Sequence, residues 1–279
     1  MEGNYCYKFS TIRNFLQRTN RPLVTQVVEI GVNVGDVSLM MHEYFPTARI
    51  VGFEAVGEYC ELARQRTAHV REIELHHRAV TCQHLYWDDL GNCPRTARGD
   101  LRILKGLPAA GPGWLGGSVV VAADHELATR PGSIPGFEKL SIAVKPITLE
   151  EIFELSGFAR IDLLKIDCEG CEHSAIGGAS VKTLKRIGFI AGEYHGIDRF
   201  YQVMQHKLFH THKVNLIGDR NLGAFFAERL EGRKDGILKF DKTGMLVPRP
   251  WLCNEMIDWH LFNEAFVLPE ERFWHALPV

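Results

Sequence analysis

The sequence predicts an α/β fold: a doubly wound, mainly parallel sheet with helices on both faces. Three observations carry this. Short apolar runs rich in β-branched residues alternate with stretches of helical spacing. The first run ends in a glycine-containing turn, "EIGVNVG", and the second ends on an acid, Glu54. Strand, helix, strand, helix, strand in that order is the pattern of right-handed parallel crossovers.

Taken in order, residues 8–20 read as an amphipathic helix (Phe9, Ile12, Phe15, Leu16) ending before Arg21-Pro22. "VTQVVEIG" is a buried strand, "VSLMMHEYF" a helix, "ARIVGFEA" a strand, "YCELARQRTAHV" a helix and "IELHHRAVT" a third strand. From about 86 to 139 the regularity breaks in Gly- and Pro-rich sequence, which reads as an insertion with a hairpin near "SVVVAAD". Order returns with "AVKPITLEEIFELSG", a short strand and a helix whose start, Thr148 followed by Glu151, fits a capping box. "IDLLKID" is the fourth main strand, "HSAIGGASVKTLKRI" a helix, "GFIAGEYH" the fifth strand and "FYQVMQHKLF" a helix. "KVNLIG" and "LGAFFAERL" close the sheet. The domain plan is thus an N-terminal helical segment at 1–23, a main domain at 24–230, and an aromatic-rich extension at 231–279. Trp251, Trp259 and Trp274 must bury on the sheet or against a second copy of the chain, which leaves a homo-oligomer open.

The 279 residues carry a formal charge of −2, so no nucleic-acid partner is expected. No apolar window is long enough for a transmembrane helix, and the N-terminus lacks the character of an export signal, so a cytoplasmic protein is expected. The cysteines at 6, 60, 82, 93, 168, 171 and 253 then read as reduced thiols. Cys168 and Cys171 form a CxxC that invites a redox or zinc reading. No second pair follows at zinc spacing, and packing between a strand end and a helix is the preferred reading.

Gly31 and Gly35 let backbone amides approach a ligand at a helix N-terminus. Glu54, at the end of the next strand, suits the two hydroxyls of a ribose. A dinucleotide site wants Gly-x-Gly-x-x-Gly, whose middle glycine makes room for a diphosphate. Asn33 stands there instead, so a phosphate-free ligand such as S-adenosylmethionine fits better. Glu29 at the strand tip could hold that ligand's amino group.

These motifs resemble the FkbM family of S-adenosylmethionine-dependent methyltransferases. "VVEIGVNVGDVSL" is similar to its first motif, "IVGFEAVGEYCELAR" to its Phe-Glu-Pro segment, and "HHRAV" to the stretch beside the adenine. "ITLEEIFELSGFARIDLLKIDCEGCEHSAIGGA" and "FIAGEYH" are similar to its signature block. The likeness covers about 24–82 and 144–230; the insertion and the tail are outside it. Val32, Glu29, Ala55 and Glu150 depart from the usual alanine, aspartate, proline and aspartate, and Cys168 and Cys171 replace apolar or small residues. The resemblance implies a Rossmann-like class I fold, seven-stranded and mostly parallel with an antiparallel closing strand. It also implies cofactor contacts from Glu29, Gly31, Val32, Asn33, Gly35, Ser38, Glu54, Ala55, Ala79, Val80 and Asp167, and a small-molecule hydroxyl as acceptor.

Alternation places Lys165 and Asp167 on one face of their strand, and Glu193 and His195 on one face of theirs. If the strands are neighbours, Asp167, Glu193 and His195 converge on the reacting carbon. His195 has the ordinary pKa of a general base at neutral pH. Asp167 is placed to orient the acceptor hydroxyl or to hold the cofactor's amino group, and Lys165 to pair with Asp167 or Glu169. Glu169 and Glu172 suit the start of a helix. Mg²⁺ on Asp167, Glu193 and His195 is conceivable but not favoured, since a base alone can serve hydroxyl methylation. Three rivals stand beside an O-methyltransferase: an N-methyltransferase, an NAD-dependent oxidoreductase, and a non-catalytic cofactor-binding module.

Overall fold

The computed structural model describes residues 17, 23–81, 101–106, 119–122, 137–218 and 222–230. Nearly all of these belong to one compact unit, Val24–Gly236. Of the helix expected at 8–20 only Gln17, helical, is described. The aromatic extension from 231 and most of the 86–139 segment lie outside the described residues.

The first half runs β1 (Gln26–Ile30), α1 (Asp36–Tyr44), β2 (Arg49–Glu54), α2 (Gly57–Thr67) and β3 (Ile73–His77). The predicted third strand is longer than β3 because the chain changes partner at Arg78. The Arg78 amide donates to the Glu54 carbonyl, and Ala79–Val80 then forms β4, which pairs with β8 (Pro146–Ile147) outside the main sheet. Between them, β5 (Leu101–Gly106) pairs antiparallel with both β6 (Val119–Ala122) and β7 (Phe137–Val144). The expected hairpin at "SVVVAAD" is therefore one arm of a three-stranded sheet, and β7 crosses the expected boundary at 139.

The second half runs α3 (Leu149–Ser156), β9 (Ile161–Ile166), α4 (Cys171–Gly178), α5 (Val181–Leu184), β10 (Ile187–His195), α6 (Ile197–His206), β11 (His212–Gly218) and β12 (Leu222–Arg229). The capping box forms as predicted: the Glu151 amide donates to Thr148 Oγ1, and the Thr148 amide to the Glu151 carboxylate. One expected helix is two, α4 and α5. The break follows Gly177-Gly178, and Ser180 caps the second piece by accepting from the Thr183 amide at 3.0 Å.

The main sheet has seven strands in the order β11-β12-β10-β9-β1-β2-β3. All neighbours are parallel except at β12, which is antiparallel to both β10 and β11. This is the predicted class I arrangement. On one face Val28, Ile30, Leu164, Ile166 and Ile190 bury against Ile152, Ile176, Phe200 and Met204 of α3, α4 and α6. On the other, Val32 and Leu75 pack on Cys60 and Ala63 of α2. Crossovers on both faces bring every parallel strand's carboxyl end to one edge of the sheet, where ligands bind in such folds.

Candidate active site

The turn after β1 is drawn tightly against the end of β9. The Asp167 amide donates to the Ile30 carbonyl at 3.0 Å, and a Cβ built on Gly31 would lie 1.7 Å from the Asp167 carbonyl oxygen. Gly31 also sits at φ +78°, so a side chain is excluded twice over. Asn33 follows with φ 53°, a conformation that asparagine tolerates better than most residues. Its amide donates to one Glu54 oxygen and the Val56 amide to the other, both at 2.8 Å. Burial raises the Glu54 pKa, with these amides opposing it. The Ala55 amide also lowers it, and of the roughly four lone-pair sites on the two oxygens these amides leave about one for a further donor.

The side chain of Val32, where the family has alanine, is buried in the core. It packs with Cys60, Ala63 and Leu75, and Gly52 makes room, since a Cβ there would lie 2.6 Å from a Val32 methyl. Gly35 takes the N-cap of α1. Ala55 and Ala79 join a small cluster with Val56, Tyr59 and Val144, while the Val80 side chain enters the main core.

Lys165 has an acid partner on β1. Its register partner on β1 is Glu29, and its ammonium lies 3.4 Å from the Glu29 carboxylate and donates to the Gly31 carbonyl at 2.5 Å. Ser38 of α1 donates its hydroxyl to the other Glu29 oxygen. Glu29, Ser38 and Lys165 are buried together, so Glu29 neutralises an ammonium of its own chain and the Ser38 hydroxyl is turned onto Glu29. In this arrangement Glu29, Ser38 and Lys165 brace the glycine turn from beneath. Burial raises the Glu29 pKa, opposed chiefly by Lys165. Removing one partner of a buried pair leaves an uncompensated charge. Lys165→Met should therefore cost about 3 kcal/mol, with most of it recovered when Glu29→Gln is added. Urea midpoints measure this, and equal midpoints for Lys165→Met and the parent would dismiss the pair.

At the next seam Gly192 pairs with Ile166, which sets Glu193 and Asp167 side by side just past the paired ends. His195, two residues on, turns toward α4. Its Nε2 lies 3.2 Å from a Glu169 oxygen and its Nδ1 3.2 Å from Glu172 Oε1, which also accepts the His195 amide at 2.8 Å. Burial alone would lower the His195 pKa, but hydrogen bonds and charge from Glu169 and Glu172 outweigh it and raise it to about 10. The expectation of an ordinary pKa is corrected: at neutral pH this imidazole holds a proton. Among the described residues no group of three or more His, Cys, Asp and Glu is arranged for a metal ion.

Glu172 is the residue that sequence reasoning undervalued. Fully buried, it receives Gly170 N at 3.0 Å as well as both His195 contacts, and His173 Nε2 lies 3.3 Å away. Its spacing from buried Ala175 and Ile176, three and four residues on, was the available signal that it lies on the core stripe. The cysteines also differ from expectation: Cys168 and Cys171 are joined by a disulfide, their Cα atoms 5.4 Å apart, whereas Cys60 is free and buried.

The sequence profile of the Methyltransferase FkbM domain matches residues 29–223. No curated protein matches the chain by sequence. Among solved structures, a precorrin-6y C5,15-methyltransferase from Geobacter metallireducens shares 12% identity at a TM-score of 0.37, covering 78% of this chain and 88% of its own. The bifunctional kinase-methyltransferase WbdD shares 11% at 0.38, over 80% of this chain and 38% of its own. Likenesses this distant carry no argument here. The profile spans well over half the sequence, from Glu29 at the first strand tip to Gly223 in the antiparallel strand, and on that match the chain belongs to the FkbM methyltransferase family.

Proposed function

We propose that the protein uses S-adenosylmethionine to methylate a hydroxyl of a small molecule. The observation that carries the cofactor reading is the carboxylate of Glu54. Two main-chain amides fix it at a parallel strand tip beside a turn whose first residue admits no side chain. When bound, the cofactor supplies an electrophilic methyl carbon on sulfur. The chain's own residues do the rest. Glu54 accepts from the ribose diol, the Gly31–Gly35 turn borders the ligand, and the backbone of Ala55, Ala79 and Val80 flanks the adenine. Asp167 and Glu193 orient the acceptor, and His195 takes its proton, with Glu169 and Glu172 holding the resulting imidazolium. The hydroxyl acceptor rests on the family likeness. The charge and the absence of a long apolar helix among the described residues give no reason to invoke nucleic acid or a membrane span.

Glu54→Ala should weaken S-adenosylmethionine binding on the order of thirty-fold, because hydrogen bonds to a charged group are removed. Glu54→Gln, which keeps one carbonyl acceptor, should lose less and serves as the folding control. Titration calorimetry of both, with NAD as a second ligand, checks the reading. Unaltered affinity in Glu54→Ala, or preference for NAD, would refute it. An acceptor screen with hydroxyl and amine compounds then separates O- from N-methylation.

A further inference from the structure

We propose that Cys168 and Cys171 form a reversible dithiol–disulfide exchange site whose redox state sets how Glu169 and Glu172 grip His195. The two cysteines bracket Glu169-Gly170, the turn between β9 and α4. Glu169 is held there at φ 55°, a conformation that costs a non-glycine residue about 1 kcal/mol and needs something to retain it. The disulfide closes the turn across that residue. Glu169 presents its carboxylate to His195 Nε2, and Glu172 stands directly after Cys171. Among the described residues, every carboxylate contact to the imidazole therefore issues from the four residues that the bridge spans or adjoins.

Reduction offers Glu172 a competing donor. Cys168 Sγ lies 3.9 Å from Glu172 Oε2, the oxygen that accepts the Gly170 amide at 3.0 Å. A Cys168 thiol can donate to that oxygen; a disulfide sulfur cannot. Both cysteines are only partly buried, within reach of a small thiol. Cys171 opens an eight-residue helix, whose N-terminal amides favour a thiolate.

The exchange balances with a low-molecular-weight disulfide such as glutathione disulfide. The Cys171 thiolate attacks one glutathione sulfur, forming a mixed disulfide and releasing one glutathione thiolate. The Cys168 thiolate then attacks the Cys171 sulfur, forms the internal bond and expels the second. Two protein thiols give up two electrons and two protons, and the two released glutathione molecules carry them away.

Any consequence for methyl transfer rests on the function proposed above, so the deciding readout is independent of activity. The full chain is equilibrated in glutathione buffers from fully reduced to fully oxidised, quenched with iodoacetamide, and the fragment holding both cysteines is weighed. Hydrogen exchange at the His195 amide, which donates to Glu172 twenty-three residues away, is followed in the same samples. The expected result is two alkyl groups on the fragment under reduction and none under oxidation. His195 amide exchange should be about tenfold faster in the reduced form, since local opening there no longer works against the bridge. Cys168→Ser with Cys171→Ser should abolish the redox response. Two alkyl groups persisting in oxidised glutathione alone, or oxidation without change at His195, would overturn the proposal. A redox response at His195 with no methyl transfer in either state would count against the proposed function alone.

Discussion

A chain carrying Gly31→Ala will fail to fold cooperatively. The added methyl would sit 1.7 Å from the Asp167 carbonyl oxygen, a main-chain atom that cannot swing aside. Moving it would break the Asp167-to-Ile30 hydrogen bond that binds the ends of β1 and β9. The φ of +78° adds strain. Together these should cost on the order of 4 kcal/mol or more, a large part of the stability of an ordinary domain. Gly157→Ala is the comparison. Gly157 has φ +68° but nothing within 4 Å of a built Cβ, so it carries strain without collision and should cost about 1 kcal/mol. Thermal and urea unfolding of the two variants measure the difference. Similar losses in both would mean that the close approach of the strand ends is not what selects glycine at 31.

The second large effect is on the pH dependence of methyl transfer. With the His195 pKa at about 10, only a small fraction of the imidazole is neutral near pH 7. That fraction grows roughly tenfold with each pH unit up to the pKa. If His195 is the base, kcat/KM should rise on the order of a hundredfold between about pH 7 and pH 9. His195→Ala should lose on the order of 10²–10³ in turnover at the upper end and show a flat profile, with S-adenosylmethionine affinity within about twofold of the parent. Stability should run the other way. A folded pKa raised above 6.5 contributes stability that is complete below about 6.5 and disappears as pH climbs through about 10. Rate and stability therefore diverge with rising pH. A parent enzyme whose rate is level across that range would remove His195 from the base role.

The alternation of apolar runs made the parallel sheet legible. Thr148 and Glu151 announced a helix start that the structure contains. Local pattern, however, says which way a side chain faces and not which strand it faces. Lys165 was therefore matched only with acids close in sequence, and the Glu29 carboxylate beside it arrives through the β1–β9 register. Glu172 posed the same difficulty. A glutamate in the first turn of a helix is most simply an electrostatic end group, and only the return of β10 reveals His195 above it. The proton affinity of His195 was not legible, because it depends on two carboxylates from another element. The division of the third strand at Arg78 was invisible for a like reason. No glycine or proline interrupts it, and the change of partner needs β8, some seventy residues later, to exist.

The Lys165-to-Gly31 hydrogen bond joins residues 134 apart in the chain. Drawing such a loop closed costs about 4 kcal/mol of chain entropy before any contact rewards it. During synthesis β1 therefore emerges with one edge unoccupied and its acid uncompensated, and it stays so until β9 has left the ribosome. The amino-terminal half cannot mature ahead of the rest, and folding of this unit is a late, non-local event rather than a progressive one.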